Sequence, residues 1–231
     1  MLSWLTKKSQ LLRENKAYFS GFDFDKNLEE YTFTVFDTEL TGLDKRSGEI
    51  ISLGAIRIRD LQLDFGETYY EKVRPQRTEA TSATLIHKLT PEELKQAPPV
   101  EEVVPRFLEY LGNSLIIGHC IGIDMDFLAK VCRKLYGGTL ANPTIDTMRL
   151  SRGYQRKLYG RYHDHGALIG SYNLHDLCNK FHLPLFEAHN ALDDAIQTAY
   201  LFIYLVKKFR TGGLQTLKEL YSAAKTGSWD E

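Results

Sequence analysis

Three stretches near the front of the chain alternate apolar and polar positions, and most of the remaining chain is helical in period. The run Phe33-Thr34-Val35-Phe36 predicts a strand over 31–37 that ends at Asp37. Ile51, Leu53 and Ala55 alternate with Ser52 and Gly54, which predicts a second strand reaching about Arg59. Asp60 to Gln62 can turn, and Leu63 to Val73 reads as a third strand. Short links between the three favour an antiparallel meander. Thr90 as N-cap and Pro91 at the first position open a helix. Val103, Phe107, Leu108 and Leu111 make a helical stripe, and Leu115 to Gly118 a short buried strand. Phe127, Leu128, Val131, Cys132 and Leu135 follow Asp124 with a 3.6-residue period, so Asp124 lies on the inward stripe of its helix. Thr144 to Thr147 is a further short strand, and a long helix runs from Ala191 to about Phe209.

This order predicts an α/β domain, a mixed sheet flanked by helices. It occupies residues 31–210, behind an N-terminal helical extension over 1–30 and ahead of a C-terminal helix and tail over 211–231. With 231 residues, 43% of them hydrophobic, the chain can bury one sizeable core. The net charge of −1 gives no global basic field, so a nucleic-acid partner would need a local positive patch. Cys120, Cys132 and Cys178 are odd in number and scattered, which argues against disulfides or zinc and makes a reducing, cytoplasmic compartment the simplest one. No apolar run approaches the roughly 18 residues of a membrane helix, and charges interrupt Met1 to Asn15, unlike a signal peptide.

Asp37 and Glu39 add chemistry to the first strand. Two residues apart, they project from one side, where two carboxylates repel and lose solvation. Holding a hard divalent cation is the common reason for such a pair, although a strand end running into a solvated turn would look the same. Two further acids favour the first reading. Asp124 closes Gly118-His119-Cys120-Ile121-Gly122-Ile123-Asp124, and Asp194 follows His189 by five residues in His189-Asn190-Ala191-Leu192-Asp193-Asp194. Asp-x-Glu, then Asp, then His-x-x-x-x-Asp is far more specific than any part. Over residues 31–207 the chain resembles the DEDDh 3′–5′ exonucleases, the family of the proofreading epsilon subunit of bacterial DNA polymerase III. It departs from their pattern at Leu40, often Thr, at Cys120, often Asn, and at Ile123, often aromatic.

The resemblance implies a ribonuclease-H-like fold with a mixed five-stranded sheet. It implies phosphodiester hydrolysis at the 3′ ends of single-stranded DNA or RNA, with Asp37, Glu39, Asp124 and Asp194 holding two Mg²⁺ ions, for which Mn²⁺ substitutes. Paired ions about 3.5–4 Å apart serve both the attacking and the leaving oxygen. His189 is then the general base, since neutral imidazole accepts a proton at physiological pH. Asp193 and Asp126 compete for these roles but read as helix-surface charges. Thr38, Leu40, Thr41 and Leu43 are expected to touch the terminal nucleotide, with His87 helping to position it.

Residues 149–165 are rich in cations and tyrosines. Arg149, Arg152, Arg156, Lys157 and Arg161 can meet phosphates, and Tyr154, Tyr159 and Tyr162 can stack on bases. A solvated surface connection is the other reading, and His163 and His165 belong to the same stretch. Three functions stay open: an exonuclease acting on DNA, a ribonuclease trimming RNA ends, and a non-hydrolytic binding subunit. A polymerase or other replication or repair protein is the expected partner, held through the N-terminal helix or the tail.

Overall fold

The computed structural model describes residues 2–76, 87–159 and 171–225. Arg161, Tyr162, His163, His165 and the end of the C-terminal tail lie outside the described residues. Strands β1 (Phe33–Leu40), β2 (Ile50–Arg59), β3 (Gln62–Lys72), β4 (Leu115–Gly118) and β5 (Thr144–Asp146) form one sheet in the order β3-β2-β1-β4-β5. The β3-β2-β1 pairs are antiparallel and the β1-β4-β5 pairs parallel, which gives the mixed five-stranded sheet expected.

The helices are α1 (Leu2–Ser20), α2 (Pro91–Gln96), α3 (Val100–Leu111), α4 (Gly122–Tyr136), α5 (Thr147–Tyr159), α6 (Leu174–Lys180), α7 (Ala191–Arg210) and α8 (Leu217–Lys225). Thr90 caps α2 as a capping box with Glu93, as the Thr-Pro pair predicts. Two cores sandwich the sheet. Phe33 and Val35 of β1, Ile56 and Ile58 of β2, and Leu115 and Ile117 of β4 face Phe202, Leu205 and Val206 of α7. Phe36 and Leu40 of β1 and Leu53 and Ala55 of β2 face Phe107 and Leu108 of α3 and Phe127 and Leu128 of α4. Strict alternation along β1 therefore decides which helix each later residue meets.

β1 runs three residues beyond the predicted end. Its ladder with β2 continues through Thr38↔Leu53, Glu39↔Ser52 and Leu40↔Ile50, so the acidic pair lies inside a paired strand rather than in a turn. The described part of the basic stretch, residues 149–159, is helical and belongs to α5. The flanking segments share the cores of the main domain. Leu217 and Leu220 are fully buried, and Leu28 donates its amide to the Gln215 carbonyl at 3.2 Å. The C-terminal half of α1 is fastened by Asn15, 4% exposed, whose amide donates to Asn142 Oδ1 and whose oxygen accepts from Ala141 N, both at 2.8 Å. That part of α1 is wall rather than arm. No helix among the described residues is long and apolar enough to cross a membrane.

Candidate active site

Asp37 and Glu39 continue the Phe33–Val35 face of β1 and so project toward α7. α7 reaches them because β2 offers no side chain at Gly54, the residue paired with Asp37. A Cβ on Gly54 would stand on the backbone of Ala191 and Leu192, far inside van der Waals contact. The missing side chain therefore lets the first turn of α7 lie on the sheet. Asn190 caps that turn, its Oδ1 accepting from Leu192 N at 3.0 Å and Asp193 N at 3.3 Å. Asp194 is thereby delivered beside Glu39. His189 precedes the cap in a left-handed conformation, φ 67°, which histidine tolerates better than most residues. Its amide donates to Asp194 Oδ2 at 2.9 Å, and its side chain is exposed. One potential ligand atom from each of Glu39, His189 and Asp194 lies within 4.8 Å of the other two.

Asp124 arrives from the opposite core. It is 6% exposed in the first turn of α4, facing the sheet as its place on the apolar stripe predicts. Its Oδ1 accepts from the Thr38 amide at 3.0 Å and the Thr38 hydroxyl at 2.6 Å. Thr38 points to that core because it alternates with Asp37 and Glu39. The turn before α4 is held by Asp146, whose Oδ1 accepts from Cys120 N at 3.1 Å and Met148 N at 2.9 Å, with Cys120 at φ 57°.

Burial raises all four carboxyls, and repulsion within the set adds to it for Asp37 and Glu39. Asp37 stands well above the usual carboxylate range, chiefly through burial and then through Asp124, Asp194 and Glu39. Glu39 is pushed up to about 7 by burial, then by Asp194 and Asp124. Burial also lifts Asp124 to about 7, against the lowering bonds from Thr38. Asp194 is raised by burial, partly offset by the His189 amide. Four oxygen-bearing acids that cannot share a small volume as free anions form a donor set suited to hard divalent cations.

The residues expected at the substrate fall into distinct places. Leu43 is 71% exposed in the β1–β2 link, and Ile123, next to Asp124, is 41% exposed. Alternation turns the Leu40 side chain into the α3–α4 core, where it is 9% exposed. Thr38 gives both its donors to Asp124 rather than to a substrate position. Thr41 braces the β1–β2 link, its Oγ1 accepting from Glu49 N at 3.0 Å. His87 is 5% exposed and within electrostatic reach of His189, and burial lowers its pKa. Arg149 and Arg152 sit in the first two turns of α5, which starts directly after Asp146. Lys157 is not brought to the acids. It lies 5.7 Å from the Phe209 ring centroid, and Phe209 is about 22 Å along α7 from Asp194. Arg156 lines the same far cavity as Lys157.

Sequence reasoning missed Gly54, Asp146 and the bracing role of Thr38. A glycine inside an otherwise alternating strand is a signal of close backbone approach, and an acid ending a short strand before a helix is another.

Residues 34–202 match the family model for exonucleases of the RNase_T type. The chain belongs to the exonuclease family. Within it the motif set is of the DEDDh type, a divalent-metal-dependent group, as the sequence resemblance implied. The PolC-type DNA polymerase III of Thermotoga petrophila is 31% identical over 219 residues, 95% of this chain and 15% of that protein. That of Bacillus subtilis is 34% identical over 84% of this chain and 13% of that protein. The chain thus spans a small part of the length of these relatives. E. coli Exonuclease I in complex with a dT13 oligonucleotide shares the fold at 17% identity and a TM-score of 0.65, over 79% of this chain and 42% of that one. Exonuclease X in complex with 5′-overhanging duplex DNA does so at 23% identity and a TM-score of 0.59, over 83% of this chain and 99% of that one. The fold of this exonuclease domain is ribonuclease-H-like.

Proposed function

We propose that this exonuclease domain removes nucleotides one at a time from the 3′ ends of single-stranded nucleic acid, DNA first, releasing nucleoside 5′-monophosphates. The observation that carries the reading is the meeting of Glu39, His189 and Asp194 beside Asp37 and Asp124, from three distant stretches of chain. Asp37, Glu39, Asp124 and Asp194 would hold two Mg²⁺ ions, with Mn²⁺ as substitute. When bound, such ions supply charge stabilisation at the phosphorus and help to activate water and the leaving oxygen. The carboxylates give up their raised affinity for protons in exchange for that charge.

His189 accepts a proton from the attacking water through a ring nitrogen, and its exposed side chain leaves it room to do so. Asp194, bonded to the His189 amide, keeps that segment in register with the acids. Leu43, on the link braced by Thr41, gives the terminal nucleotide an apolar contact at the mouth, and His87 bounds the other side. Arg149 and Arg152 meet phosphates of the strand. Arg156 and Lys157 serve only a strand that extends far along α5. A polymerase or other replication or repair protein is the proposed partner, since the PolC-type relatives are polymerases. The three free thiols suit a reducing cytoplasm.

The test is 5′-labelled DNA and RNA of one sequence, incubated with Mg²⁺ and resolved as a ladder. Shortening from the 3′ end supports the proposal, and faster loss of RNA makes the domain a ribonuclease. Asp37→Ala and Asp194→Ala should both abolish the ladder while leaving the circular dichroism spectrum unchanged. Full activity in either variant would refute the assignment.

A further inference from the structure

A second charged site lies on the α3–α4 side of the sheet. A cavity of about 380 Å³ opens between the β1–β2 link, the segment after β3, and α4. Four cations line it, Arg46, Arg74, Lys130 and Lys134, against one lining carboxylate, Glu49. Glu49 accepts the Gln76 amide at 2.7 Å and keeps its single negative charge, which leaves the cations in excess. Lys130 is fixed at the wall by the carbonyls of Arg46 and Gly48, at 3.0 and 2.9 Å, and these neutralise no charge. Lys134 pairs with Glu101 at 3.3 Å, an exposed pair that holds little charge back. The nearby exposed Asp44 accepts from the Ser47 hydroxyl and the Arg46 amide, and it lies within electrostatic reach of Lys130, part of whose charge it offsets. No ion pair of Arg46 or Arg74 occurs among the described residues.

Val100, Phe127 and Val131 give the wall an apolar part. Cations over a low-dielectric wall focus a positive field into the cleft. A single carboxylate would leave most of this charge unanswered, whereas the two or more charges of a phosphate answer it. Two guanidinium groups also match phosphate oxygens. The volume falls in the range of pockets that hold small ligands, roughly 300–1,000 Å³.

The geometry points to a binding site for a phosphate-bearing anion in this cavity, separate from the acidic centre and sharing none of its residues. Its phosphate belongs either to a free nucleotide or to a nucleic-acid strand, and α4 connects the two sites. Lys130 lies about 9 Å along that helix from Asp124.

Melting curves in EDTA test this, because the metal-free acidic centre repels anions and any response from the α5 arginines persists when Arg46 and Arg74 are replaced. The probes are inorganic pyrophosphate, dAMP and an oligomer of eight thymidylates, against KCl of equal ionic strength. At least one probe should raise the melting temperature of the wild type beyond the KCl control. Arg46→Gln with Arg74→Gln should raise the concentration for half-effect by about tenfold or more, since each charged hydrogen bond is a large contribution. The double variant without anion should melt where the wild type does, because both side chains are exposed. A response to dAMP or pyrophosphate makes the ligand a free nucleotide or phosphate, and a response to the oligomer alone makes it a strand. No shift beyond KCl with any probe, or an equal shift in the double variant, overturns the site and leaves the exonuclease proposal untouched.

Discussion

Replacing Glu39 by glutamine should make the metal-free protein more stable while destroying its activity. Glu39 rises from an ordinary 4.5 to about 7 because it is buried and faces Asp194 and Asp124. Each pKa unit corresponds to about 1.36 kcal/mol, so keeping Glu39 ionised in the metal-free fold costs on the order of 3 kcal/mol. The sign follows from proton uptake. The folded state holds the proton more tightly than the unfolded state, so stability is highest below the unfolded pKa and falls as pH rises toward about 7. Glutamine keeps the shape and removes the charge, and its amide can donate to the Asp194 carboxylate nearby. In a domain of this size about 3 kcal/mol corresponds to roughly 6–12 °C in melting temperature. Differential scanning calorimetry in EDTA at pH 8 should show most of that gain for Glu39→Gln, and at pH 5 little of it. With saturating Mg²⁺ the order should reverse, because ion binding stabilises the wild type more. A variant that melts at or below the wild-type temperature in EDTA at pH 8, or gains as much at pH 5, would refute the electrostatic account of the cluster.

Other perturbations probe the remaining parts. His189→Ala should lower kcat by roughly 10²–10⁴, the usual range for a general base, and flatten the acid limb of the pH–rate profile; an unchanged profile would remove His189 from proton transfer. Gly54→Ala should cost about 1–3 kcal/mol or more by overpacking, because the new methyl meets rigid backbone of α7. It should also lower activity in the fraction that stays folded, and a neutral effect on both would contradict the proposed docking of α7. Thr38→Val removes the hydroxyl donor from buried Asp124, which should cost about 1–3 kcal/mol and weaken metal affinity in a calorimetric titration. Thr38→Ser should restore both, and failure of that rescue would assign the loss to packing.

Much of this site was legible because chemistry and periodicity agreed. Asp124 fell on the inward stripe of a helix whose apolar spacing alone predicts its burial, and the structure buries it. The long helix begins at Ala191 as its spacing predicts, and the five-residue offset from His189 to Asp194 survives as a direct bond. The errors came from partners that local pattern does not encode. The extension of β1 depends on its ladder with β2, which carries the strand through Leu40. Once that length is known, alternation alone sends Leu40 inward and Thr38 to Asp124. Arg156 and Lys157 looked like a substrate track while the direction of α5 was unknown. A helix leading away from the end of β5 separates them from the acids.

The acidic centre draws on β1 near the front of the chain and on α7 near its end, and α7 also covers much of one face of the sheet. During translation the first two carboxylates therefore emerge long before their partners. A ribosome-bound chain that stops before residue 189 has neither His189 nor Asp194, and its sheet lacks the cover that would hold Asp37 and Glu39 in place. The acidic centre is complete only once α7 has cleared the exit tunnel, so a chain stalled before that helix lacks the assembled set of carboxylates.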